Sequence, residues 1–172
     1  RKRTLLGYET LRPWEWVPEM GKVVSTKDTP LTPFSTEAQL IQHSLDMFHN
    51  LDSELGHQFA HIAEGGMLDL MTRQGKAMGA YSHNLPYRRL PFIFMNAVGS
   101  SRNVQTMLHE VGHAFHGYSA MRSQPLVWQM RSPMEFNEVA SMGMEMLAAP
   151  NLTKERGGFY TVAEAAQHRI EH

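Results

Sequence analysis

The sequence predicts a mainly α-helical, single-domain protein with one small β-sheet or hairpin. Its 172 residues fit one domain with a sizeable core. Most segments place apolar residues three or four positions apart, as amphipathic helices do. Residues 67–98 differ, because their short apolar runs are bounded by Gly and Pro, as strands are. The predicted organisation is an extended connector (1–34), a helical pair (35–66), a small sheet (67–98), two long helices (99–149) and a C-terminal helix that the chain end truncates (150–172).

The first third of the chain changes from a proline-rich connector to two helices. Repeated Pro residues before position 35 favour an extended path over a helix. Ser35 is the predicted cap of a first helix that runs to about His49. Asp52 is the predicted cap of a second helix, which ends at about Glu64 because a Gly pair follows at 65–66.

Two short strands are predicted next, at residues 79–82 and 91–96. An exposed edge strand is a place where an extended peptide adds itself through main-chain hydrogen bonds. Gly79 and Ala80 are small enough for close approach, and with Tyr81 they are the predicted substrate-binding residues. The same segment is equally well explained as a plain hairpin that stabilises the following helix.

That following helix is predicted to begin after a hydroxyl cap, Ser100 or Ser101. Apolar residues recur along it at helical spacing, which indicates one buried face. Gly117 is the predicted end of the helix. The segment is therefore a genuine amphipathic helix, and the motif that it carries is on a defined face.

The motif is HEVGH, with His109, Glu110 and His113 at its chemical positions. Histidines four residues apart stand one turn apart on one helix face and form a chelating pair. Glu110 is rotated about 100° from His109, so its carboxylate lies beside a metal, where it can take a proton from water. H-E-x-x-H on a helix is the arrangement of zinc peptidases. The motif predicts a metal-dependent hydrolase with one Zn²⁺ per chain.

A catalytic zinc ion takes three protein ligands, so one more residue is required. His116 is close to His113 on the helix, but it lies about 10 Å along the axis from His109. A straight helix cannot bring three such rings onto one ion. His116 is therefore predicted to be a supporting or core histidine rather than a ligand.

The third ligand is expected on the helix that follows the motif helix, which the sequence predicts to begin at Ser132. Pro133 is at the predicted first helical position, and Glu135 completes a capping box with Ser132. The Glu135 carboxylate is then bonded to the backbone of the first helical turn, whereas Glu138 is free to face the helix that carries HEVGH. Glu138 is the predicted third ligand, and Glu135 is the alternative.

With these residues, the sequence resembles the thimet oligopeptidase and oligoendopeptidase F family of metallopeptidases, whose signature is H-E-x-G-H with a Glu ligand on a later helix. The spacing of Glu138 from His109 is that of the family, and Gly112 is at the position of its glycine. Further segments resemble the oligoendopeptidase F branch, at residues 11–14, 79–81, 85–86, 90–96 and 134–142.

The resemblance implies that His109, His113 and Glu138 bind zinc and that Glu110 acts as general base and then as general acid. It also implies a zincin-type core with a metal-binding helix pair, which is a segment of a larger, mainly helical, bowl-shaped peptidase. The implied activity is that of a zinc-dependent metalloendopeptidase that hydrolyses short peptides.

The end of the chain contains a predicted helix and one further candidate for the active site. Thr161 is the predicted cap of a final helix, with Glu164 in its capping box. Family members carry a His and Tyr pair downstream of the Glu ligand to stabilise the reaction intermediate, and we expect that pair to lie outside this segment. Tyr160 is a candidate replacement donor. The alternative prediction is therefore a zinc-binding but catalytically incomplete segment that needs a partner segment or chain.

Composition excludes several other classes of protein. A formal net charge of −1 provides no electrostatic surface for nucleic acid or an anionic membrane. The chain has no Cys, which excludes thiolate ligands and disulfides, and no apolar run long enough to span a membrane. These features predict a cytoplasmic location. The resemblance implies short peptides as substrates, and because family members are several times longer, it also implies association with a missing domain or with a second copy.

Overall fold

The computed structural model describes residues 30–171, so most of the predicted connector at 1–34 lies outside the described residues. The described part is mainly helical and contains one three-stranded sheet. Its helices are α1 (Glu37–Leu51), α2 (Ser53–Glu64), α3 (Ser101–Ser123), α4 (Met134–Ala148) and α5 (Val162–Glu171), and its strands are β1 (Leu68–Met71), β2 (Tyr81–Leu85) and β3 (Leu90–Ala97). Within residues 30–171, none of the helices has the length and apolarity needed to cross a membrane.

The predicted cap at Asp52 is confirmed, because its carboxylate accepts hydrogen bonds from the backbone N–H of Glu54 and Leu55. The prediction of Ser35 as the cap of α1 is wrong by one residue. Thr36 is the cap, and its hydroxyl accepts from the Gln39 N–H at 3.2 Å. The Gln39 side chain in turn accepts from the Ser35 N–H, so Ser35 supports the cap from outside the helix.

The capping box of α5 is confirmed. The Glu164 carboxylate accepts from the Thr161 N–H at 2.7 Å, and the Thr161 hydroxyl accepts from the Glu164 N–H at 3.3 Å. This reciprocal pair satisfies backbone donors that the first helical turn leaves unpaired.

The sheet has the strand order β1-β3-β2, so β2 lies at its edge. The predicted hairpin is present as the antiparallel pair β2 and β3. The sequence analysis missed β1, which runs parallel to β3, because four residues are too few to show an alternating pattern. Strand β2 begins at Tyr81, so Gly79 and Ala80 precede it.

Helix α3 packs against α4, β3 and β2 and lies at the centre of the fold. The predicted apolar face of α3 is buried, at Val104, Met107, Leu108, Val111 and Phe115, and further residues of the helix are buried with it. Ser100 is the cap of α3, and its N–H donates to the Asn103 side chain at 3.0 Å.

The predicted end of α3 at Gly117 is wrong, because the helix continues to Ser123. Gly117 has a packing role instead. A Cβ atom at that position would collide with the Asn84 side chain of β2. The glycine allows close approach of strand and helix, and without a positive φ it does not interrupt the helix.

Gly112 has the same role between the two long helices. A Cβ atom there would lie 2.6 Å from Ser141 Cα and 2.8 Å from the Ala140 carbonyl oxygen, both backbone atoms of α4. Backbone atoms cannot move aside as a flexible side chain can. The glycine of the HEVGH motif therefore sets the distance between α3 and α4.

Gly112→Ala is expected to lower the free energy of unfolding by about 1–3 kcal/mol, since the added methyl group overpacks the α3–α4 contact. Gly143 provides a matched control in α4, because a Cβ atom there meets nothing within 4 Å. Gly143→Ala is expected to raise the free energy of unfolding by about 0.5–1 kcal/mol through helix propensity. Urea denaturation followed by circular dichroism measures both, and equal effects would contradict the packing role of Gly112.

Candidate metal centre

Helix α3 presents both motif histidines on the face that meets α4. Their ring centroids are 4.8 Å apart with perpendicular planes. Both side chains are partly buried, at 30% exposure for His109 and 19% for His113. Burial lowers the pKa of His113, and the neighbouring His109 acts in the same direction. Burial thus favours the neutral ring, which is the form that binds metals.

Glu138 of α4 completes the cluster. Its Oε2 lies 3.4 Å from His109 Nε2, and its Oε1 lies 3.7 Å from His113 Nε2. One ligand atom from each of the three residues lies within 4.8 Å of the others. Tetrahedral zinc with bonds of about 2.0–2.1 Å separates its ligand atoms by about 3.3 Å. The cluster therefore has the donor types and the spacing that one metal ion requires.

The predicted start of α4 is wrong, although the choice of Glu138 agrees with the geometry. Pro133 is the cap residue, and the Ser132 hydroxyl donates to the Asn137 side chain at 2.6 Å instead of capping the backbone. Glu135 is therefore in the exposed first turn without its predicted capping partner. Glu138, one turn later, is the carboxylate of α4 that joins the two histidines.

Glu110 lies between the metal cluster and the sheet. It is only 6% exposed, and the backbone N–H of Ser82 in β2 donates to its carboxylate. Burial raises the pKa of Glu110 above its ordinary value, and the negative charge of Glu138 acts in the same direction. His109 and the Ser82 N–H oppose this increase but do not cancel it. A carboxylate with a raised pKa is suited to accept and return a proton.

Each of the two histidines makes a hydrogen bond to a neighbouring residue that orients its ring. His109 Nδ1 lies 2.6 Å from Glu145 Oε1, and the Gln105 side chain donates to the other oxygen of Glu145. The His113 ring donates to the backbone carbonyl of Asn137. Such partners fix the tautomer of a metal-binding histidine and leave the second nitrogen for the metal.

Glu145 and Gln105 were not predicted from the sequence. Both carried a signal, because Glu145 is seven residues after Glu138, which is two turns along the same face of α4. Gln105 is likewise one turn before His109 on α3. Residues at this spacing beside a predicted ligand are candidates for its support.

A cavity of about 200 Å³ opens beside the cluster. Its wall includes His113 and Glu138 from the cluster, Ser82 and Asn84 from β2, and His116 one turn beyond His113. His116 thus lies on the cavity wall and outside the three-residue cluster. Its predicted role as a supporting histidine stays a prediction.

The predicted substrate-binding residues lie at the N-terminal end of the edge strand β2. The Gly79 carbonyl accepts from the Asn96 side chain at 2.9 Å, and the Tyr81 ring stacks on Phe94 with centroids 4.9 Å apart. The cavity reaches β2 farther along the chain, at Ser82 and Asn84. Substrate binding by Gly79, Ala80 and Tyr81 stays a prediction.

Tyr160 does not lie on an accessible surface. It is 1% exposed, and its hydroxyl lies 3.2 Å from His168 Nδ1 in the core beside α5. A side chain buried to this extent cannot contact a substrate, so the prediction of Tyr160 as a replacement donor is wrong.

A helix-borne H-E-x-x-H motif, a carboxylate from a second helix and an adjacent edge strand together define a site of the H-E-x-x-H peptidase class. The chain belongs to peptidase family M3, whose sequence profile matches residues 2–170. This match confirms the resemblance seen in the sequence.

Oligopeptidase PepF of Bacillus subtilis is 33% identical to this chain over 114 residues, which cover 62% of the chain and 17% of PepF. The oligoendopeptidase F homolog of Borreliella burgdorferi is 32% identical over 106 residues, which cover 58% of the chain and 18% of that protein. The solved structure of PZ peptidase A with inhibitor 2 is similar with a TM-score of 0.79 and 27% identity, over 98% of this chain and 28% of its own. The mainly α fold is thus confirmed, and the chain spans less than a third of the length of these relatives.

Glu138→Gln is expected to remove most metal binding, because the neutral amide is a poor replacement for a carboxylate ligand. The loss in metal affinity should exceed the roughly 10–100-fold loss that follows the mutation of a residue that only orients a ligand. Glu135→Gln is the matched control on the same helix and should bind metal as the wild type does. Titration with Zn²⁺ against a chromogenic chelator measures both, and the reverse order of effects would make Glu135 the ligand.

Glu145→Ala is expected to weaken Zn²⁺ affinity by about 10–100-fold, since His109 loses the acceptor that orients it. Glu155, an exposed carboxylate elsewhere on the surface, provides the control variant Glu155→Ala. The same chelator competition applies, with circular dichroism to verify the fold. Wild-type affinity in Glu145→Ala would show that the contact with His109 has no role in metal binding.

Proposed function

We propose that this chain carries the catalytic centre of a zinc-dependent metalloendopeptidase that hydrolyses short peptides. The observation that carries the proposal is the position of Glu110, which is buried between the His109, His113 and Glu138 cluster and the edge strand β2. Membership of peptidase family M3 supports the same reaction class. The proposed cofactor is one Zn²⁺, held by the three clustered residues, and the cytoplasmic location stays a prediction.

The chain's own residues account for the proton transfers of the proposed reaction. A zinc ion held by the cluster supplies a water molecule of lowered pKa and polarisation of the scissile carbonyl. Glu110 accepts the proton of the attacking water and later delivers it to the leaving amine. Burial raises the pKa of Glu110, which is the direction that favours proton acceptance by this carboxylate.

Strand β2 is the proposed support for the substrate backbone. The Ser82 N–H donates to Glu110, and among the described residues β2 has no strand neighbour other than β3, so the Ser82 backbone faces the edge of β2 away from β3, with its N–H already paired with Glu110. Pairs alternate along an antiparallel ladder, and Asn84, two residues farther, faces the same edge. An extended peptide that adds to this edge is brought beside Glu110 by main-chain hydrogen bonds.

The second candidate is a metal-binding but catalytically incomplete segment that requires further polypeptide. One observation favours it. The outer face of α4 exposes Phe136 by 64%, Val139 by 68% and Met146 by 78%, while the opposite face packs on α3. A helix face that is exposed to solvent is normally polar, whereas this one is apolar. This face is therefore suited to contact a missing segment of the same protein or a second chain.

One experiment compares the two candidates, using metal analysis and hydrolysis of a quenched fluorogenic short peptide. The proposed peptidase contains equimolar zinc, and Glu110→Gln lowers its activity by at least about 10²-fold without loss of zinc, since only the proton acceptor is removed. Circular dichroism verifies that both proteins are folded.

The remaining outcomes separate the candidates. Equimolar zinc with no activity in either protein would favour the incomplete segment. Sedimentation velocity would then be expected to show association that Val139→Glu weakens. A folded wild-type protein that binds no zinc would contradict both candidates.

A further inference from the structure

A second cavity continues the metal-site cavity along strand β2. It has a volume of about 370 Å³, and the two cavities share Ser82, Asn84 and Met130 in their walls. The second cavity extends past Pro86 to Arg131, in the segment before α4. The two cavities therefore form one groove that follows the edge strand away from Glu110.

The outer part of this groove has a positive charge. Arg131 lines it together with His83 and apolar residues, and no Asp or Glu is among its described lining residues. Within residues 30–171, no carboxylate oxygen lies within 4.0 Å of the Arg131 guanidinium. Val127 and Pro86 provide apolar surface beside Arg131, whose side chain is exposed and accessible to a ligand.

Arg131 lies between two helical elements: it is the C-cap residue of a short 3₁₀ turn, Val127–Met130, whose C-terminus favours a positive charge, and it lies just before α4. Arg131 precedes the α4 cap residue, Pro133, by two positions, and the N-terminus of a helix favours negative charge. The Arg131 charge is therefore mildly unfavourable for α4 itself. It is available to a ligand in the groove.

We propose that the outer cavity is a subsite for a carboxylate group of the peptide, and that Arg131 binds it. This inference rests on the proposed function, since it names the substrate class of the same site. The guanidinium matches a carboxylate through two parallel hydrogen bonds. The step from Ser82 to Asn84 and Pro86 is about 7–13 Å of extended strand. The subsite therefore accepts a carboxylate two to four residues from the scissile bond, from an acidic side chain or the C-terminus.

Peptide binding to zinc-loaded Glu110→Gln tests the subsite without hydrolysis. The probes are labelled peptides that carry Glu or Gln at successive positions, each with a free or an amidated C-terminus, and fluorescence anisotropy gives the affinity. The anionic member of a pair is expected to bind on the order of 10-fold more tightly. Adding Arg131→Gln should remove that preference and leave the neutral peptide's affinity within about twofold.

Further variants make the outcome specific. Arg131→Lys should retain part of the preference, and Arg102→Gln, at an exposed arginine in α3, should retain all of it. Loss of affinity on Glu-to-Gln exchange identifies a side-chain carboxylate, and loss on amidation identifies the C-terminus. Equal binding of the anionic and neutral peptides, or no binding of either, overturns the subsite. Charge-dependent binding without hydrolysis by the wild type would retain the subsite and reject the proposed activity.

Discussion

The close approach of α3 and α4 at Gly112 is the constraint on which the candidate metal centre depends. The α3 backbone at this residue lies so near to Ser141 and Ala140 that no side chain fits between them. That distance brings the Glu138 carboxylate within 3.4–3.7 Å of both histidine rings. A wider separation would leave the two histidines without a nearby carboxylate from α4. The glycine inside the H-E-x-G-H signature is therefore required for packing, because a larger residue would push the two helices apart.

The polar groups of the site are held by partners on neighbouring elements, which lowers the cost of burying them. Glu110 receives the Ser82 N–H, and His109 is oriented by Glu145, which Gln105 holds in turn. Each contact joins two different elements of the fold. All of these contacts are made by residues of the chain itself.

The same helix pair also explains why the site and the exposed apolar surface occur together. One face of α4 supplies Glu138 and Glu145 to the centre, and the other exposes Phe136 and Val139. Nothing among the described residues covers that second face. Since this chain spans 28% of the PZ peptidase A structure that it resembles, the relatives have ample polypeptide to surround such a helix. The metal centre and the groove, by contrast, are lined by residues of this chain.

The sequence by itself determined the features that local spacing controls. The H-E-x-x-H face, the caps at Asp52 and Thr161 and the family membership all follow from residues a few positions apart or from a continuous pattern. Glu138 was selected by reasoning about a capping box that the structure does not contain, and its position came independently from the family spacing. Only the tertiary structure decided that Gly117 continues a helix, that Glu145 supports His109 and that Arg131 shares a groove with Glu138. These facts depend on which elements pack together, and packing distance is not recorded in the spacing along one element.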